Sequence, residues 1–143
     1  MKKVIIVLFA WIFFSSLISN EKYGNLEIVI ENIKNSKGKI KTSLFNSKDG
    51  FPNKPENNYQ EKDIQAEKGK VSLTYEQLPY GEYAVSLWHD EDNDNEFDMF
   101  LFVPKEGWGA SNNPKARMGP PKYEEARFSI NQSSIMIKIR VNY

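Results

Sequence analysis

Apolar and polar side chains alternate along most of the chain after residue 20, and this pattern constrains the fold more than any other feature. Successive side chains of a β-strand point to opposite faces, so period-two alternation is typical of a half-buried strand. The pattern occurs in six segments: NLEIVIENI (25–33), GKIKTSLF (38–45), GKVSLTY (69–75), EYAVSLWH (82–89), EARFSI (125–130) and SIMIKIRVNY (134–143). The sequence therefore predicts an all-β fold.

Weaker strands are expected at 64–67 and 100–103, which brings the total to about seven or eight. Short strands separated by Gly, Pro, Asn and Asp turns favour an antiparallel β-sandwich. Residues 46–62 are polar and should form a surface loop between strands. Residues 104–125 also read as a loop but keep Trp108, Met118 and Tyr123, so this segment should either pack over a sheet or have a function.

The N-terminal segment has the composition of a secretory signal. Lys2 and Lys3 precede an apolar run from Val4 to Phe14, followed by small and polar residues. A membrane anchor is the alternative, but the run is shorter than the roughly 18 residues that a spanning helix needs. We expect residues 1–20 to be removed, which leaves one β-sandwich domain, 21–143, exported to the periplasm or the cell exterior without a stable membrane span.

Composition excludes several classes of function. The chain has no cysteine, so thiol catalysis, cysteine-ligated zinc and disulfides are ruled out. Stability must come from packing or from a bound ion. Nineteen basic residues balance nineteen acidic ones, which is not the charge of a nucleic-acid-binding protein.

The stretch WHDEDNDNEFD (88–98) carries six carboxylates and the only histidine. Asp90, Asp92, Asp94 and Asp98 fall at positions one, three, five and nine of a calcium loop, a spacing that turns oxygen ligands toward one ion. The bidentate Glu expected at position twelve is replaced by Leu101, which predicts weak affinity.

The acidic stretch therefore predicts a structural Ca²⁺ site, to which Glu106 could contribute. Its alternative is a solvated hairpin tip whose acidic side chains only satisfy turn chemistry. Without an ion the carboxylates repel one another, so Lys105 and Arg117 would have to compensate.

Catalytic interpretations have little support. His89 continues the inward face of its strand, which favours a hydrogen-bonded residue at the edge of the core over a ligand or base. Ser111 lacks the Gly-x-Ser-x-Gly elbow of a serine hydrolase. A glycosidase pair among the carboxylates remains open, with four candidates: Asp94, Asp98, Glu106 and Glu124.

Five motifs resemble a known family: GKIKTSLFN, LPYGEY, HDEDNDNEFD, PKEGWGASNN and GPPKYEEARF. Their order is similar to that of a secreted bacterial family known as Domain of Unknown Function 2141, and the turn and acidic loop resemble prealbumin-like (transthyretin-like) modules. The resemblance implies export and a prealbumin-like or Ig-like sandwich, but no activity. Asn95 stands where that family has a glycine, and asparagine tolerates the left-handed conformation.

These patterns lead to one function with two alternatives. We expect an exported, non-catalytic binding or structural module with a calcium loop, whose partner is a carbohydrate or an envelope protein. A carbohydrate-binding module using Phe102, Trp108 and Tyr123, or a small hydrolase using the acidic cluster, are the alternatives. The candidate ligand-binding residues are His89, Glu106, Trp108, Ser111, Asn112 and Tyr123.

Overall fold

A computed structural model describes residues 22–101, 103–115 and 119–143 of the 143-residue chain. The predicted signal peptide lies outside these ranges, as do Phe102, Arg117 and Met118. Two β-sheets pack face to face, which confirms the predicted all-β sandwich. Within the described ranges, no helix is long and apolar enough to cross a membrane.

The first sheet has the order β10-β1-β4. Its strands are β1 (Tyr23–Ile33), β4 (Gly69–Pro79) and β10 (Ser134–Arg140). β1 pairs with β4 in antiparallel fashion, but β1 and β10 run parallel, with Leu26 opposite Ile135. This parallel pair was not expected, because side-chain alternation indicates which face is buried and carries no information on strand direction.

The second sheet has the order β3-β2-β5-β8, with β9 beside the start of β5. Its strands are β2 (Lys39–Phe45), β3 (Gln60–Gln65), β5 (Gly81–Asp90), β8 (Gly107–Ala110) and β9 (Phe128–Ile130). The strand predicted at 64–67 in fact begins at Gln60, inside the predicted surface loop. β3 is an edge strand on which only Gln60 and Ile64 are half-buried, so it lacks the alternation that would reveal it.

Three short elements complete the chain: the two-stranded hairpin β6 (Met99–Phe100) and β7 (Val103–Pro104), a 3₁₀ turn (Pro55–Asn57) and helix α1 (Tyr123–Ala126). Ala126 was predicted to start a strand but ends α1 instead. The helix follows Pro120 and Pro121, and at its first turn the Glu125 side chain accepts the N–H of Lys122 at 3.2 Å.

The core lies between the inner faces of the two sheets. Its largest fully buried side chains include Leu26, Ile28, Ile30, Ile40, Leu44, Tyr75, Val85 and Ile139. All but Tyr75 are aliphatic, and burial of each contributes about 1.5–3 kcal/mol. The alternation in β1, β2 and β5 thus faces the core as predicted, and it holds β5 rigid up to the acidic stretch that follows.

The end of the chain closes one edge of the sandwich against β8. Trp108 and Asn142 exchange two backbone hydrogen bonds, each 2.8 Å long. A β-carbon at Gly107 would come within 2.6 Å of the Val141 side chain, so only glycine allows β8 to lie this close. The contact brings Tyr143 beneath the end of β5, where the candidate site begins.

The acidic loop as a candidate metal site

The acidic loop, defined here as residues 90–98, joins β5 to β6. Asp90, Asp92 and Asp94 each offer a carboxylate oxygen that lies within 4.8 Å of the other two. Asp90 ends β5 and is 1% exposed, whereas Asp92 and Asp94 face solvent. The structure therefore brings together the residues at positions one, three and five, with one buried side chain and two that are open to an incoming ion.

Backbone hydrogen bonds orient these carboxylates within the loop. Asp92 Oδ1 accepts a bond of 3.3 Å from the N–H of Asp94. Asp94 Oδ1 accepts one of 2.7 Å from Glu96, and Asp90 Oδ2 accepts one of 3.2 Å from Asn95. The loop thus curls so that alternate side chains turn inward.

Two asparagines supply the tight bends in this curl. Asn93 has a φ of 61° and Asn95 a φ of 63°, both in the left-handed region. Asparagine adopts that region more readily than other residues with a β-carbon. The expectation that Asn95 preserves the turn is confirmed.

One oxygen of Asp90 stands out among the buried polar atoms of the described residues. Asp90 Oδ1 is buried and has no hydrogen-bond partner there. Buried carboxylate oxygens are ordinarily paired, because an unpaired one loses its hydration without compensation. The unpaired atom belongs to one of the three clustered carboxylates.

Glu106 closes the loop from below. Its Oε1 accepts a hydrogen bond of 3.2 Å from the N–H of Glu91, and its Oε2 accepts one of 3.3 Å from Asp98. Burial raises the pKa of Glu106, the two backbone bonds oppose that shift, and the charges of Asp90 and Asp92 add to it. Glu106 therefore binds the backbone near both ends of the loop. It is not part of the group formed by Asp90, Asp92 and Asp94.

Asp98, predicted as a fourth ligand, is also outside that group. Its carboxylate lies 3.7 Å from Lys105 Nζ, and its carbonyl accepts the N–H of Lys105 at 2.9 Å. Asp98 thus pairs with one of the two cations expected to offset the loop's charge. The other, Arg117, lies outside the described residues.

Nearby lysines are engaged by other carboxylates. Lys34 lies 3.7 Å from Glu91, and Lys41 lies 3.2 Å from Asp63 while donating to the side-chain oxygen of Asn95 at 2.8 Å. In the part of the chain that the structure describes, no lysine or arginine forms an ion pair with the three clustered aspartates. Among the described residues, no ion pair therefore offsets their mutual repulsion.

His89 is fully buried and both of its ring nitrogens are engaged. Nε2 lies 2.7 Å from the carbonyl oxygen of Lys37, which requires a proton on that nitrogen. Nδ1 lies 2.7 Å from the hydroxyl of Tyr143, which then donates to it. This is the arrangement of a core-edge histidine, and neither nitrogen is left to ligate a metal or act as a base.

Ser111 and Asn112 hold the segment after β8 in place. Ser111 Oγ is fully buried, donates to the carbonyl of Ala126 at 2.6 Å and accepts the N–H of Val85 at 2.9 Å. Asn112 donates to the carbonyls of Glu125 and Arg127. These contacts are structural, and they leave the Ser111 hydroxyl out of reach of a substrate.

Glu124 cannot pair with the acidic loop. It lies on α1, whose neighbour Arg127 contacts Glu82 near the start of β5, whereas the loop follows Asp90 at the other end. Eight residues of strand separate these positions by about 26 Å. The carboxylates of a glycosidase pair lie about 5–9.5 Å apart, so the structure does not bring Asp94 and Glu124 together as such a pair.

Trp108 and Tyr123 do not line the same cavity among the described residues. Trp108 lines a cavity of about 60 Å³ beside Pro120 and Lys122, and Tyr123 is not among its lining residues. Tyr123 packs edge-on against Phe51, with ring centres 5.8 Å apart. Ligand pockets usually occupy about 300–1,000 Å³, which this cavity does not approach.

Gly38 is a contributor to the site that sequence reasoning missed. It has a φ of +60°, and a β-carbon there would overlap the carbonyl oxygen of Asp90. The turn preceding β2 therefore supports the first residue of the acidic loop. The local sequence, a glycine between two lysines, is common in turns and does not indicate a contact with a distant residue such as Asp90.

Comparison with known proteins gives one match. The profile of a bacterial protein family described as "Uncharacterized protein conserved in bacteria (DUF2141)" matches residues 28–138. No curated protein and no solved structure matches the chain. The matched range begins in β1, ends in β10 and includes the whole acidic loop and Glu106.

Proposed function

The chain belongs to the DUF2141 family of bacterial proteins, and on that premise we propose that it is an exported, non-catalytic module that binds calcium in its acidic loop. The family description assigns no activity, so the proposal is argued from the loop itself. In this proposal the ion is structural and closes the connection between β5 and β6.

The unpaired oxygen of Asp90 carries the proposal. A buried polar atom without a partner costs about 1–3 kcal/mol, and more when it is charged. Asp90 Oδ1 is in that position, and one carboxylate oxygen of Asp90 lies within 4.8 Å of an oxygen from each of Asp92 and Asp94. A cation bound by the three would remove both the desolvation cost and the repulsion.

Calcium suits this geometry better than other common ions. Oxygens bound to one Ca²⁺ at about 2.4 Å lie at most about 4.8 Å apart, and the three carboxylate oxygens lie within 4.8 Å of one another. Magnesium holds its ligands at about 2.0–2.1 Å and demands a tighter octahedron. Zinc prefers nitrogen or sulfur, and both nitrogens of His89 are already engaged.

The incomplete set of protein ligands points to weak binding. Calcium takes about six to eight oxygens, and three carboxylates supply only part of that number. Leu101 stands at position twelve and is exposed, while both oxygens of Glu106 accept backbone N–H groups. Water and loop carbonyls would fill the shell, with a Kd on the order of 0.1–1 mM, which suits millimolar extracellular calcium.

Two observations favour a non-catalytic role. His89 and Ser111, the residues nearest to a catalytic pair, are fully buried and hydrogen-bonded. They also lie apart, because Ser111 bonds to Val85 while His89 is four residues further along β5, about 13 Å away.

Export is proposed from the N-terminal composition, in which Lys2 and Lys3 precede the apolar run from Val4 to Phe14. A prealbumin-like sandwich fits a surface or periplasmic role, with a carbohydrate or an envelope protein as its partner. The N-terminal sequence of the protein recovered from cells tests export. It should begin near Asn20 or Glu21, and a retained Met1 would contradict the signal assignment.

Calorimetry and thermal melting test the calcium site. With a Kd near 0.1 mM, 2 mM calcium should stabilise the fold by about 1.8 kcal/mol, a melting shift of several degrees. Asp92→Asn and Asp94→Asn should abolish most of this shift, because each removes one charged ligand. Asp49→Asn, which changes an exposed carboxylate in a distant loop, should keep it.

The same experiment can reject the site. If calcium leaves wild-type melting unchanged and calorimetry shows no heat of binding, the loop is a solvated turn. Equal responses to calcium and magnesium would instead argue for diffuse screening of charge.

A further inference from the structure

The hairpin formed by β6 and β7 presents apolar side chains that no described part of the chain covers. Met99, Phe100, Leu101 and Val103 are 52%, 62%, 76% and 64% exposed. Single apolar residues are common on protein surfaces, but four within positions 99–103 form a patch of the kind that marks an interaction site.

The shape of this patch restricts what can cover it. Met99 and Phe100 are consecutive strand residues, so they project from opposite faces of β6, and both are more than half exposed. β6 pairs only with β7, in a two-stranded sheet separate from the two large ones. A protein that packed on one face would leave the other in water, whereas a lipid phase surrounds both.

We propose that this hairpin inserts into the surface of a phospholipid bilayer, with Phe100 and Leu101 at its leading end. We further infer that calcium in the acidic loop strengthens the attachment, and this second part rests on the proposed function above.

Charge around the hairpin supports both parts. Asp98, the last residue of the acidic loop, directly precedes Met99, and the exposed carboxylates of Asp92 and Asp94 lie a few residues before it. Without an ion these charges repel anionic headgroups. Bound calcium offsets two of the negative charges and keeps coordination positions for phosphate oxygens. Lys105 follows β7 at the base of the hairpin, where an ammonium group can reach the headgroups.

Flotation with vesicles of phosphatidylcholine and phosphatidylglycerol tests the insertion. Residues 22–143 contain all of the described strands and core and exclude the apolar N-terminal segment, so they are the form to use. A Phe100→Ser, Leu101→Ser double variant should bind vesicles at least about tenfold more weakly than wild type. Met136→Ser is the matched control, because Met136 is 59% exposed on β10 of the other sheet, and it should bind like wild type.

A second measurement uses the full chain. Leu101→Trp should be quenched by brominated lipid more strongly than Met136→Trp, since only the first side chain would enter the bilayer. Equal quenching, or unchanged flotation of the double variant, overturns the lipid proposal. So does a wild-type dimer that the double variant makes monomeric without any vesicle binding, because the hairpin would then cover a second copy of the chain.

Calcium is tested separately. Calcium should raise vesicle binding of wild type, and an Asp92→Asn, Asp94→Asn variant should lose that increase. Hairpin-dependent binding that is equal with calcium and with chelator overturns the calcium link. Calorimetry on the lipid-free protein reports whether the ion binds at all, so failure of the ion site is distinguished from failure of the hairpin.

Discussion

The carbonyl oxygen of Asp90 lies so close to Gly38 that residue 38 has no room for a β-carbon. The obstructing atom is backbone, so it cannot rotate away as a side chain would. Gly38 also has a φ of +60°, which residues with a β-carbon rarely adopt. The turn before β2 and the start of the acidic loop therefore depend on each other.

Gly38→Ala should consequently disturb stability and calcium binding together. We expect a loss of more than about 2 kcal/mol, from backbone strain and from displacement of Asp90. Calcium affinity should fall as well, because Asp90 supplies the buried ligand. Chemical denaturation measures the first effect and calorimetry the second.

Gly69→Ala is the matched control for this variant. Gly69 has a φ of +96°, but no atom lies within 4 Å of the position that its β-carbon would take. Only the conformational strain applies, which costs about 1–2 kcal/mol. Equal losses in the two variants, with unchanged calcium affinity in both, would show that the approach to Asp90 is unimportant.

The raised pKa of Glu106 predicts a pH-dependent stability. Burial is the main cause of the shift above 4.5, and the charges of Asp90 and Asp92 add to it. Between 4.5 and the raised pKa, the folded protein holds a proton that the unfolded chain has released. In calcium-free buffer, wild type should therefore gain stability relative to Glu106→Gln as the pH falls through that window.

Unfolding titrations of wild type and Glu106→Gln at several pH values measure this difference. Bound calcium should shrink it, because a nearby cation favours the ionised carboxylate. A difference that instead grew as the pH rose would mean that Glu106 is stabilised in its charged form without the ion.

The strands that sequence could predict are those with one buried face. In β1 alternate residues from Gly24 to Ile30 are buried, and on β5 one face carries the buried residues Tyr83, Val85, Leu87 and His89, so a period of two reveals both the strand and its buried face. The start of β3 was not predicted, because an edge strand forms its backbone hydrogen bonds without needing a buried face. Ala126 was misassigned because the turn closed by the Lys122 N–H and the Glu125 side chain outweighed the short alternation that follows.

The candidate site divides in the same way. The cluster of Asp90, Asp92 and Asp94 was predictable, because the spacing of candidate ligands along one loop can be read from neighbouring residues in the sequence. The burial of Asp90 and the hydrogen bonds from the loop backbone to Glu106 were not, since both depend on a segment that returns from beyond the β6–β7 hairpin. Such long-range contacts leave no local periodicity.

The raised pKa of Tyr75 predicts how the stability of the fold changes at alkaline pH. Its hydroxyl lies 2.8 Å from Thr42 Oγ1, and burial raises the pKa of Tyr75 to about 12. Between pH 10 and 12 the unfolded chain loses this proton while the folded one keeps it, so stability should fall as pH rises. Tyr75→Phe should flatten that fall while costing about 1 kcal/mol at neutral pH. Equal alkaline slopes for wild type and variant in urea titrations would contradict the assignment.

Substitution of His89 distinguishes a role in packing from a role in metal binding. It links the carbonyl of Lys37 to the hydroxyl of Tyr143, and that hydroxyl in turn accepts the N–H of Lys34 at 3.0 Å. His89→Ala would leave these groups without a partner and open a cavity, so we expect a loss of about 2–4 kcal/mol. The loss should be the same with and without calcium. Asp94→Asn should show the opposite pattern, with calcium-free stability retained and the calcium-dependent gain lost. If calorimetry showed that His89→Ala keeps its stability but no longer binds calcium, the histidine would belong to the ion site and its assignment to packing would be wrong.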